Sequence, residues 1–231
     1  MMKIKFKHIK GFTLVEVAIV LVIVGLMISA FLTPLTAQID QKNYSETRGL
    51  LADSKEALMG YALANKHLPC PDTNNDGLEY FNVVTGNCTA YDGNLPWATF
   101  SLPATDAWQQ PLIYHAAVFY AQRAPLNTFG LGTSGNLRVC NQAACSAPRL
   151  TDFAVAVIIS RGKNRGICST LPSLPGCVDE RENDDAVDGD FVSHEQTVST
   201  TLSPNAEYDD IVVWLSSNVL INRMVAAGQL P

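Results

Sequence analysis

The chain has 231 residues, with 16 Lys and Arg against 22 Asp and Glu and a formal charge of −6. That balance speaks against a nucleic-acid partner, because binding phosphate backbones requires Lys and Arg to displace counterions. About 190 residues lie beyond an apolar N-terminal stretch, enough for one sizeable domain with its own core and cramped for two.

The first element is a short basic leader, 1–11, carrying Lys3, Lys5, Lys7 and Lys10. Behind it, 17–39 is a run of 23 uncharged residues, most of them Val, Ile, Leu, Ala or Met. About 20 apolar residues in a helix cross roughly 30 Å of hydrocarbon, so a membrane-spanning helix over 12–35 is expected. An ordinary secretory signal fits poorly, since its apolar region is shorter and ends in an Ala-x-Ala-like site. Ser29-Ala30-Phe31 is a weak match to such a site. A plain signal anchor, held inside by its Lys residues, accounts for charge and length but not for Gly11 or Glu16. A lone acid at the head of an apolar segment is disfavoured unless something pairs with it.

Gly11-Phe12-Thr13-Leu14-Val15-Glu16, with the apolar run behind it, resembles the N-terminus of type IV pilins and type II secretion pseudopilins. The resemblance implies an α+β, pilin-like fold, in which a long N-terminal helix, transmembrane in its front half, packs on an antiparallel sheet. It implies cleavage by a prepilin peptidase after Gly11, on the cytoplasmic side, and methylation of the new amine on Phe12. It also implies that Glu16 helps a subunit enter the filament by neutralising an N-terminal amine. Two opposite charges that must both leave water are tolerable only as a pair. The implied partners are other pilin or pseudopilin subunits, the peptidase, an inner-membrane assembly platform and membrane lipid. The implied division is leader 1–11, helix 12–35 and periplasmic domain 36–231. The competing class is a binding domain or enzyme merely tethered by a signal anchor. Without its leader the chain keeps 12 basic and 22 acidic residues, a charge of −10, which suits a cation-binding or simply soluble exported domain.

Beyond the membrane run, 36–65 contains no Pro, and Leu50, Leu51, Ala57, Leu58, Tyr61 and Ala62 recur at helical spacing. One helix from about 12 to 65 is expected, kinked at Pro34, with its back half laid on a sheet. Leu68-Pro-Cys-Pro71 ends it. Asp72, Asn74 and Asp76, with Gly77 after them, match the first half of a calcium loop. The second half fails, because the twelfth position is Val83 where a bidentate Glu belongs. The other reading is a pair of Asx-turns leading into a strand, 79–84.

All six cysteines, Cys70, Cys88, Cys140, Cys145, Cys168 and Cys177, follow the membrane run. None has the Cys-x-x-Cys spacing of a zinc or redox site. They are either free buried thiols or disulfides, and an even count in an exported domain favours the latter. Cys70–Cys88, Cys140–Cys145 and Cys168–Cys177 are the simplest pairs, fitting an oxidising compartment, in a Gram-negative cell the periplasm.

Asp106-Ala-Trp-Gln-Gln-Pro-Leu-Ile-Tyr114 resembles the Asp-x-Trp-Gly-x-Pro-Leu-x-Tyr segment of major pseudopilins, with Gln109 where that pattern has Gly. Leu68-Pro-Cys-Pro-Asp72 and Leu95-Pro-Trp97 resemble pieces of large pilin-like subunits. Strands are expected at 112–121, 137–140 and 152–160, the last apolar on both faces and therefore central. Gly130 to Asn136 is Gly-rich but lacks a Gly-Lys-Ser/Thr, so it is a loop and not a phosphate cradle. Arg161-Gly-Lys-Asn-Arg-Gly166 is a small basic cluster, either a solvated loop tip or a contact for an acidic neighbouring subunit.

Seven acids in twelve residues follow at 179–190. Carboxylates packed so closely repel unless solvated or neutralised. Major pseudopilins bind calcium in a loop at a comparable place, and Asp184, Asp185, Asp188 and Asp190 are the candidate ligands here, with Asp209-Asp210 able to complete such a site. The alternative is a disordered acidic loop. A buried strand at 211–215 and a helix at 218–227 close the chain, the helix capped by Ser217, ended by Gly228 and docked through Val219, Leu220, Met224 and Val225.

Nothing marks an enzyme. The histidines are His8, His67, His115 and His194, and none sits in a His-Glu-x-x-His or beside a Gly-x-Ser-x-Gly. His194 reads as a solvated loop residue. The expected function is a structural filament subunit of a type IV pilus or type II secretion system, minor or specialised.

Overall fold

The computed structural model describes residues 11–123, 129–146, 149–164, 177–185, 188–197 and 207–230, without the side chains of 29–35. The leader 1–10, Cys168, the last two residues of the basic cluster and the side chain of Pro34 therefore lie outside the described residues. The chain divides into two compact units, Met1–Asn43 and Tyr44–Pro231. Helix α1, Leu14–Asn65, runs through the boundary.

In the first unit every described helical residue from 14 to 28 is solvent-exposed, on all sides of the helix. Those 15 positions span about 22 Å at 1.5 Å per residue. Among the described residues no helix is long and apolar enough to cross a membrane.

In the second unit α1 buries Thr47, Leu51, Ser54, Leu58 and Ala62, a line stepping by three and four residues, together with Met59. The line is less apolar than expected. Ser54 is tolerated because its hydroxyl donates back to the Leu50 carbonyl (2.7 Å). Leu50, Ala57 and Tyr61 flank it, half-buried. Lys66 closes the helix at φ +65°, its N–H bonded to the Ala62 carbonyl at 2.8 Å. The prolines that follow prevent the helix from resuming.

The sheet is built from β1 (Asp92–Asn94), β2 (Ile113–Ala116), β3 (Leu137–Cys140), β4 (Arg149–Ser160), β5 (Asp190–Val192) and β6 (Ile211–Ser216). Its order is β1-β2-β4-β3-β5, with β6 also paired to β4. As expected, β4 is central: β3 pairs with its first half, and β2 and β6 with its second. Ala154 to Ser160 are all buried, whereas Phe153 is about half exposed. The expected all-antiparallel sheet is corrected by one pair, since β5 lies parallel to β3. A parallel neighbour needs a long crossover, and here the connection between Cys140 and Asp190 includes β4 and the short helix α4 (Val178–Asp184). Two more short helices, α2 (Trp97–Phe100) and α3 (Val118–Ala121), lie in the loops, and α5 (Ser217–Ala226) ends the fold.

Other expectations are corrected. The strand expected over 112–121 stops at Ala116, and α3 follows it. Its turn buries Tyr120 and aims the Tyr120 carbonyl at the Leu68 N–H (2.7 Å). No strand forms over 79–84. Asn82 Oδ1 accepts the N–H groups of Val84 (2.9 Å) and Thr85 (3.1 Å) and reverses the chain. Ser217 does not cap α5, because Ser216 precedes the helix without a side-chain cap bond and Ser217 is buried in its first turn. Of the four side chains expected to dock that helix, Leu220 and Met224 are buried, while Val219 and Val225 are exposed. Gly228 does close it, at φ +68°, where the Gln229 N–H reaches the Met224 carbonyl at 2.8 Å.

Candidate functional site

At the N-terminus, Thr13 Oγ1 accepts the Glu16 N–H at 3.2 Å. Thr13-Leu-Val-Glu16 is therefore half of a capping box, with the acid in the positively polarised first turn. Sequence reasoning passed over Thr13, although the Thr-x-x-Glu spacing signals it. Capping gives Glu16 a local role but places no constraint on Gly11. Among the described residues a Cβ on Gly11 would meet no atom within 4 Å. Packing among the described residues does not require glycine there.

Asp72 is buried and forms the hub of a turn. Its Oδ1 accepts the N–H groups of Asn74 (3.0 Å) and Asn75 (2.7 Å), and its Oδ2 accepts that of Gly77 (2.7 Å). Asp76 Oδ1 takes the Leu78 N–H at 2.8 Å, and Asn74 Nδ2 donates to Asp76 Oδ2 at 3.0 Å. The three side chains thus bind backbone and one another, the Asx-turn arrangement, with Asp76 and Asn74 exposed. The Cys70–Cys88 and Cys140–Cys145 disulfides are formed. Cys177 is also disulfide-bonded.

The acidic segment divides between arginines and two carboxylate groupings. Asp184 takes the Arg161 Nε at 2.7 Å, and Asp190 accepts Arg138 through both oxygens. Asp185 ends α4, its N–H on the Arg181 carbonyl at 3.0 Å. Asp188 Oδ1 accepts the Asp190 N–H at 3.0 Å. Glu182, Asp188 and Asp190 bring oxygens within 4.8 Å of one another, as do Glu180, Asp209 and Asp210. Only the second group is wholly buried. Burial pushes the Asp209 carboxyl up to about 7, with Glu180 adding to the rise, and raises Asp210 and Glu180 as well. Tyr208 is raised mainly by burial and then by Asp210. His194 is not a solvated loop residue: its ring stacks on Tyr208 with centroids 3.8 Å apart, and Nε2 lies 3.3 Å from Asp179.

Residues 6–32 match the model of the prokaryotic N-terminal methylation motif. The chain carries a prepilin-type signal. Comparison with curated proteins and with solved structures gave no significant match.

The signal covers Gly11, Phe12, Thr13 and Glu16, and it marks a pilin-type precursor. Within the body of this prepilin-type chain, Asp184 and Asp185 fall outside both carboxylate groupings, while Asp188 and Asp190 share one with Glu182. Glu180, whose partners lie 29 and 30 positions away, was not singled out from the sequence. No local spacing links it to Asp209 and Asp210. Gln109 stands at φ +62°, so it adopts the backbone that a Gly would supply, and the turn from Asp106 to Gln110 is kept. Asp106 Oδ1 accepts the N–H groups of Trp108 and Gln110, each at 2.9 Å.

Proposed function

We propose that the chain is a structural subunit of a filament of the type IV pilus or type II secretion class. Prepilin peptidase removes residues 1–11, and the amine of Phe12 is then methylated. Residues 12–35 hold the subunit in the inner membrane, with residues 36–231 in the periplasm, until packing against the same segment of other subunits draws it into the filament. The observation that carries this reading is the methylation motif at 6–32. Two features support it. The apolar helix behind the motif is exposed on every side over 14–28, which suits lipid or neighbouring helices as its surroundings. And among the described residues no packing contact requires glycine at position 11, which suits selection by an external enzyme.

Mass spectrometry of protein recovered from its own host tests this directly. A chain beginning at methylated Phe12 is expected, and Gly11→Trp should leave it beginning at Met1. Glu16→Ala should still be clipped but fail to enter filaments. A tethered binding domain or enzyme would instead keep Met1 and be indifferent to both changes.

A further inference from the structure

We propose that the cavity where β2 gives way to β3 takes the ammonium or guanidinium end of an organic cation. His115 is its buried acceptor, and Asp92 and Asp188 form its acidic rim. The inference concerns the body of the protein and does not depend on its assembling into a filament.

The cavity follows from how β4 is paired. Ala154 is partnered by both Leu137 and Ser216, and Ala156 by both Ala116 and Leu215. β2 and β3 therefore lie on the same edge of β4, opposite β6, one after the other. β2 ends at Ala116 opposite Ala156, and β3 begins at Leu137 opposite Ala154. Ala116 and Leu137 both line the cavity that opens there, about 190 Å³ in volume, together with Tyr91, Asp92, His115, Asn136, Asp188 and Phe191. It is smaller than the roughly 300–1,000 Å³ of a site for a drug-sized ligand, and suits one basic side chain or a small amine.

His115 is only 5% exposed, and its Nε2 is buried with no hydrogen-bond partner. Its ring packs on Phe191 with centroids 4.6 Å apart. Burial lowers its pKa to about 4, so the imidazole is neutral near pH 7 and one ring nitrogen is an acceptor. Asp92 and Asp188, in contrast, are exposed. The arginines beside the acidic segment are engaged, Arg138 with Asp190 and Arg161 with Asp184. Among the described residues no Lys or Arg lines the cavity. Glu182, grouped with Asp188 and Asp190, is raised by burial and then by those two carboxylates, so negative charge is in excess at this rim. An anion is repelled by it, and a neutral ligand leaves its charge uncompensated. An orphaned buried acceptor, an acidic rim and the rings of Tyr91 and Phe191 together fit a cation that carries several N–H donors on a short alkyl stem.

The test follows the histidine ring signals of the full, isotope-labelled chain by NMR in an uncharged detergent. The probes are n-propylguanidinium and n-butylammonium, analogues of the Arg and Lys side chains. Each should shift the His115 signals saturably, with a millimolar Kd or tighter. Asp92→Asn and Asp188→Asn should each weaken binding about threefold, and together about tenfold or more. Neutral n-propylurea should not bind. Capped Gly-Arg-Gly and Gly-Lys-Gly peptides distinguish the sources of the cation. If they bind as tightly as the analogues, it is a side chain of another protein; if only the free compounds bind, it is a small amine or guanidine. The proposal is overturned if neither analogue shifts His115, or if n-propylurea, sodium or calcium at the same concentration shifts it alike. It is equally overturned if the double aspartate variant binds as the parent does. His115→Leu assigns the signals; should it fail to fold, Asp92→Asn assigns them, because Asp92 is the cross-strand partner of His115.

Discussion

Replacing Asp106 by Ala tests how the loop 106–110 is fastened to the sheet. Asp106 is buried and holds three donors: the N–H groups of Trp108 and Gln110 at 2.9 Å each, and the Ser160 hydroxyl at 2.6 Å. Ser160 in turn accepts the Gly162 N–H at 3.2 Å, so one carboxylate joins the loop, the end of β4 and the next turn. Hydrogen bonds to a charged group contribute about 1.5–3 kcal/mol each, and losses within one network do not add fully. Asp106→Ala should therefore cost about 3–5 kcal/mol, a large share of a typical 5–15 kcal/mol. Asp106→Asn keeps Oδ1 for the two N–H groups and should cost about 1–2 kcal/mol. Urea unfolding of the full chain in detergent measures both, read as a shifted midpoint at constant slope. A double-mutant cycle with Ser160→Ala should show coupling above about 0.5 kcal/mol. If Asp106→Ala costs under about 1 kcal/mol, or the cycle shows no coupling, the carboxylate is not the fastener described.

Gln109→Gly should stabilise the protein in the same assay by about 0.5–1 kcal/mol. Relief of the left-handed backbone at φ +62° outweighs the added freedom of the unfolded chain. A loss of stability would show that the Gln109 side chain contributes more than the strain removes. His115 is buried and its Nε2 lacks a partner. Burial lowers its pKa from 6.5 to about 4, Asp92 opposing and Arg161 reinforcing. The folded state then binds fewer protons than the unfolded one, so this stability is full above pH 6.5 and lost as pH falls toward 4. The loss amounts to about 3 kcal/mol. His115→Leu should flatten the stability–pH curve by about that amount over the window, and an unchanged curve would contradict the assignment.

Some of this protein is legible from neighbouring residues alone. Gly11, Phe12 and Glu16 stand in a short motif whose meaning needs no fold. The 17–39 run, the stepping of Leu51, Leu58 and Ala62, and the alternating or continuous apolar stretches at Leu137–Cys140 and 152–160 mark helix and strands through local periodicity. The sequence-local cysteine pairs Cys70–Cys88 and Cys140–Cys145 were readable for the same reason. Tertiary structure decided the rest. Residues 112–121 read as one strand, yet burying Tyr120 and satisfying Leu68 bends the chain after Ala116. The parallel setting of β5 on β3 depends on where a 49-residue connection returns, which no pattern in either strand encodes. Seven clustered acids at 179–190 advertised a charge problem, but not its resolution. Asp184 goes to Arg161 and Asp190 to Arg138, while Glu180 is carried to Asp209 and Asp210. Periodicity reports which face of an element must leave water. Which charged groups then meet depends on how distant segments close over one another, and that is set by the packing of the whole core.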